Sequence, residues 1–178
     1  MSRLDINNIL INPKFMCSLA FTFFLLGSVL GGVLALSYDE SFFYSSGLLL
    51  EKPIGFSGMK EVLVNNLIGC LILMLGLFTM GSITIVSLFF NGMLVGITVA
   101  ALYAQDVSLN KLFLGILTHG VFEIPAIIIA GYIGLQGFTF YFRKNKMWKK
   151  NLKLVYVIAI LLFIAAFTES FITPLVIN

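Results

Sequence analysis

Charged side chains are absent over residues 15–38 and 62–105, while 112–142 and 154–178 carry one carboxylate each, Glu123 and Glu169. At a rise of roughly 1.5 Å per residue, a hydrocarbon core of about 30 Å takes about 20 residues to cross. The 44-residue stretch 62–105 is therefore long enough to cross twice, with its break near Gly76–Gly81. The pattern predicts an all-α polytopic membrane protein: a single bundle of five transmembrane helices at about 16–37, 62–79, 83–104, 112–136 and 154–173. No internal repeat, low-complexity tract or linker divides the chain, so 1–178 reads as one transmembrane domain.

Composition agrees with the pattern. Of 178 residues, 60% are hydrophobic and 11% charged, against about 25% charged in an ordinary soluble domain. That excludes a soluble globular protein. The connection 138–153 holds Arg143, Lys144, Lys146, Lys149, Lys150 and Lys153, so it is predicted to be a cytoplasmic basic loop. Five spans then put the protein in the cell membrane with its N-terminus cytoplasmic and its C-terminus outside. Ala35-Leu36-Ser37 imitates a signal cleavage site, but the apolar stretch before it exceeds a signal core of about 7–15 residues, which argues for an uncleaved first span.

The outer loop 38–61 carries Phe42, Phe43, Tyr44, Leu48–Leu50, Ile54 and Phe56, and is expected to lie on the membrane or pack as a lid. With Lys60 and Glu61 it offers a surface for membrane or envelope protein partners. Ser57 is expected to cap the second helix. The lipid bilayer is itself an expected partner. The net charge of +3 sits in the loops without a basic, aromatic-interleaved patch, so nucleic acid is not a partner. Cys17 and Cys70 lie in apolar runs and behave as small hydrophobes.

Small residues between membrane helices mark the faces that pack closely. The fourth helix has such a stripe in Gly115, His119, Glu123, Ala126, Ala130 and Gly134. The first has Ala20, Phe24, Gly27, Gly31 and Ala35; the second Asn65, Gly69, Ile72 and Gly76; the third Asn91, Gly92 and Gly96; the fifth Ala159, Leu162, Ala166 and Glu169. Two GxxxG pairs, Gly27/Gly31 and Gly92/Gly96, fit packing within the chain and dimerisation equally, which leaves a homo-oligomer open. Counting depth along each helix gathers the polar residues into a column in the outer half. Asn65, Asn66, His119 and Glu169 form its upper layer, and Glu123 and Asn91 lie near the midplane. Pro125 is expected to kink the fourth helix and free the Val121 carbonyl close to Glu123.

At these residues the chain resembles the stage II sporulation protein M family. The resemblance rests on His119-Gly120-Val121-Phe122-Glu123-Ile124-Pro125-Ala126 with Gly131 and Gly134, supported by Asn65-Asn66-Leu67 and Asn91-Gly92 with Gly96. Thr118 stands where the family often has a proline. The resemblance implies five spans and a non-enzymatic membrane scaffold or assembly factor; the sporulation member holds peptidoglycan-degrading partners at the engulfing membrane.

The column itself admits three readings. His119 and Glu123 are four apart, the spacing at which helix side chains meet, and with Asn91 they fit a structural polar clamp. The same column suits an ion, proton or lipid-headgroup role, as in a small transporter. No cofactor is required, but a divalent metal fits His119, Glu123 and Glu169 as ligands. An intramembrane metalloprotease of the prenyl-endopeptidase type uses similar groups; this chain lacks that family's paired glutamates, arginine partner and second histidine. The sequence therefore points away from an enzyme.

Overall fold

A computed structural model describes residues 12–37, 55–104, 109–141 and 147–173, the side chains of 109–119 excepted. The described residues form helices α1 (Pro13–Ala35), α2 (Phe56–Leu75), α3 (Ser82–Ala104), α4 (Leu109–Leu135), a single turn α5 (Gly137–Phe140) and α6 (Trp148–Phe167), which continues as a π-helical turn, Thr168–Ile172. Among the described residues, five segments are long and apolar enough to cross a membrane, one in each of α1, α2, α3, α4–α5 and α6 with its π turn. The all-α architecture is that of a polytopic membrane protein. Spans alternate in direction, so the N-termini of α1, α3 and α6 share one end of the bundle, here the turn end. The C-termini of those helices and the N-termini of α2 and α4 share the other.

The helix boundaries differ from those expected in ways that local chemistry explains. α1 starts at Pro13, whose fixed φ suits a first turn, and Asn12 caps it by accepting the Lys14 N–H at 3.0 Å. α2 starts at Phe56, so residues 56–61 are helix and not loop. Phe56 stacks edge-on against Phe171 at 5.4 Å, and the Gly55 N–H reaches the Ser170 carbonyl at 3.4 Å, which ties this extra turn to the end of α6. Gly55 occupies the cap with φ 79°, a backbone state that favours glycine; Ser57 lies inside the helix and caps nothing. Residues 38–54, and with them the lid expected there, lie outside the described residues.

α1 and α3 form a parallel pair with the most extensive contact in the molecule. A Cβ at Gly27 or Gly31 would strike the Phe89 or Met93 carbonyl, and one at Gly92 or Gly96 would strike the Phe24 or Ser28 carbonyl. The two GxxxG pairs thus face each other and let backbone touch backbone. α4 touches every other span and is buried almost all round from Ala126 to Gly137, where Leu88, Leu73 and Leu162 pack into it as part of one core.

The expected inner face of α2 is rotated, and that of α6 holds at Leu162 and Ala166 but not at Ala159. α2 buries Gly58, Val62, Cys70 and Leu73, while Asn65 and Ile72 are exposed. α6 buries Ile158, Leu162, Ala165 and Ala166, while Ala159 is exposed.

The turn end is closely stapled. Residues 76–81 reverse the chain between α2 and α3, with Gly81 at φ 79°. Thr84, fully buried, donates its hydroxyl to the Leu73 carbonyl at 2.8 Å, and a Cβ on Gly134 would collide with both. Gln136 and Asn151 exchange two amide hydrogen bonds of 3.1 Å each. Both residues are buried, so each satisfies the other.

Candidate functional site

On α2, positions 58, 61, 62, 65 and 66 recur at the three- and four-residue spacings that share one helix face. Glu61, Asn65 and Asn66 thus stand beside Gly58 and Val62 and look toward α4 and the π turn. Glu123 of α4 and Glu169 of the π turn complete the lining of a cavity of about 200 Å³. Three carboxylic side chains and two carboxamides line it, and none of its lining residues is basic. Glu61 and Asn65 are exposed at the rim, whereas Asn66, Glu123 and Glu169 are half-buried. The recess is therefore reached from outside the bundle.

The end of α6 adapts to this recess. The helix widens into the π turn at Thr168–Ile172, a local departure from α geometry that is frequent at functional sites. Thr168 donates its hydroxyl to the Ala165 carbonyl at 2.8 Å, and Thr173 donates its hydroxyl to the Thr168 carbonyl at 3.2 Å, each joining a backbone N–H on the same acceptor. Ser170 is 4% exposed, and its hydroxyl has no hydrogen-bond partner among the described residues.

The structure brings together four of the residues expected in the polar column: Asn65, Asn66, Glu123 and Glu169. It does not bring Asn91 to them. The Asn91 amide donates to the Ser87 carbonyl of its own helix at 2.7 Å, and its Oδ1 lies toward Gly69 of α2. His119 belongs to α4, but its side chain is outside the described residues, and so are the His119–Glu123 clamp and the His119, Glu123, Glu169 metal set. Among the described residues, no group of three or more His, Cys, Asp or Glu side chains is placed to hold a metal. Pro125 lies inside an unbroken α4 with its ring exposed, beside the exposed Val121.

Glu61 was expected on a loop; the structure makes it a wall of the recess. Its spacing of four from Asn65 carried that signal, once the helix is known to start at Phe56. The Gln136–Asn151 pair at the opposite end lay hidden at the edges of a connection read as basic loop.

Chemically the recess offers hydrogen-bond acceptors and negative potential to whatever reaches it: a basic side chain, an ammonium group or a hydrated cation. A family model described as stage II sporulation protein M matches residues 20–174, a range that holds every recess residue. An uncharacterized protein of Methanocaldococcus jannaschii is 35% identical over 124 residues, covering 64% of this chain and 70% of that protein. No solved structure matches the chain.

Proposed function

The chain belongs to the stage II sporulation protein M family, and from that premise we propose that it is a non-enzymatic membrane scaffold or assembly factor that engages a membrane or envelope partner at the recess. The observation that carries this reading is the exposed rim. Polar residues that only glue helices together are shut inside the bundle, whereas Glu61 and Asn65 stand open to a partner. A partner presenting a lysine or arginine meets complementary charge there. Photocrosslinking from position 65 in the native membrane tests the reading. A discrete adduct that weakens with Glu61→Gln is expected, and crosslinks to lipid alone overturn it.

The recess end faces outside in this proposal, with the N-terminus cytoplasmic and the C-terminus outside. The support is the lysine and arginine bias of the connection before α6. Labelling with a membrane-impermeant thiol reagent is expected to modify Glu61→Cys and to spare Lys149→Cys in sealed cells.

The cavity volume favours one second reading, a small transporter or ion-binding protein. A space of about 200 Å³ holds a cation with part of its hydration shell, and Glu123 and Glu169 are the groups to receive it. Cation flux into vesicles that falls with Glu123→Gln, or metal retained on elemental analysis and lost with His119→Ala, supports this alternative over the scaffold.

A further inference from the structure

Every carboxylate among the described residues, Glu61, Glu123 and Glu169, lines the recess, whereas the described residues of the turn end include Lys14, Lys149, Lys150 and Lys153 and no acid. Along the sequence, residues 124–168 contain six basic residues and no acid. Among the described residues, the positive charge at this end has no acidic side chain beside it. We propose that this end carries a site for the phosphate of an anionic phospholipid, seated between Lys150 of α6 and Tyr132 of α4.

Lys150 is the residue that turns a basic surface into a seat. Its ammonium lies 5.8 Å over the centre of the Tyr132 ring and 3.5 Å from the Tyr132 hydroxyl. Tyr132 is 6% exposed, so the ammonium rests against a fixed wall between two helices. The contact with the hydroxyl is long, which leaves ammonium protons for a stronger acceptor, and the phenol is itself a donor. A phosphate oxygen satisfies both groups. α6 begins here with Lys149 and Lys150 in its first turn, no acidic residue and no side-chain cap. Cations at a helix N-terminus oppose its dipole, and an anion relieves that conflict.

The aromatic frame puts this seat at headgroup depth. Trp148 packs edge-on against Phe140 at 5.4 Å, and Tyr141 donates to the Phe78 carbonyl at 2.7 Å. Trp148 and Tyr141 are both exposed, as expected of side chains at the membrane–water interface. Clusters of lysine and arginine beside membrane helices attract anionic lipid, and pockets between helices hold individual headgroups. The inference is independent of what the recess binds.

The test uses the full chain in phosphatidylcholine nanodiscs with and without phosphatidylglycerol, read by native mass spectrometry and thermal unfolding. Wild type is expected to retain a phosphatidylglycerol molecule and to gain about 4 °C in Tm. Lys150→Gln is expected to lose both, while Lys60→Gln, at the recess end, keeps both. Should Lys150→Gln fail to fold, Tyr132→Phe keeps the ring and removes the hydroxyl; reduced retention then supports the site. No phosphatidylglycerol effect on wild type overturns the proposal. So does undiminished retention by the variants, or the same Tm gain from inorganic phosphate alone.

Discussion

The two ends of the bundle handle polar groups in opposite ways. At the turn end Gln136 and Asn151 close on each other, and Thr84 closes on the Leu73 carbonyl. Their bonding is used up inside the protein. At the recess end Glu61, Asn65, Asn66, Glu123 and Glu169 are drawn from three elements around open space, and two of them stand exposed. The first set closes on itself and holds helices together, whereas the second leaves Glu61 and Asn65 exposed at the rim of a cavity.

The comparison can be broken by substitution. The largest effect is expected away from both ends, at the α1–α3 crossing that supports them. Gly92→Leu drives a side chain into the Phe24 carbonyl, and thermal unfolding in detergent is expected to show a loss of about 3 kcal/mol. Next comes Gln136→Leu, which orphans a buried Asn151 amide and costs about 2 kcal/mol; the double variant Gln136→Leu/Asn151→Leu is expected to regain most of that. Thr84→Val removes one bond to the Leu73 carbonyl, for about 1 kcal/mol in the same assay. The smallest effect belongs to the recess rim, where Glu61→Gln is expected to shift stability by less than about 0.5 kcal/mol. A rim substitution as damaging as Gln136→Leu would erase the difference between the ends.

The spans were legible because a bilayer demands long apolar runs, and the turn at 76–81 was legible because a 44-residue run is too long for one crossing. The α1 face was legible too, since Ala20, Phe24, Gly27, Gly31 and Ala35 are all buried. Small-residue spacing failed on α2, and on α6 it erred only at Ala159, since Leu162 and Ala166 are buried. Lipid and core are both apolar, so a face of Gly69 and Ile72 carries little contrast with one of Val62 and Leu73. The polar set was legible in kind and less so in membership. Depth counting along a helix cannot see rotation about it, which is how Asn91 came to be placed beside Glu123 when its amide serves Ser87. Glu61 escaped because the start of α2 depends on Phe171 and Ser170, more than a hundred residues away.

The parallel α1–α3 crossing also imposes an order on synthesis. Gly27 leaves the ribosome 65 residues before Gly92, so at ~5–20 residues per second α1 waits about 3 to 13 s for the helix that fills its grooves. During that wait its notched face is covered by lipid tails or by the insertion machinery. The most extensive helix contact among the described residues is thus unavailable until α2 has crossed and α3 has followed it. A chain halted before Gly92 holds a first helix whose recognition surface is complete and has nothing of its own to recognise.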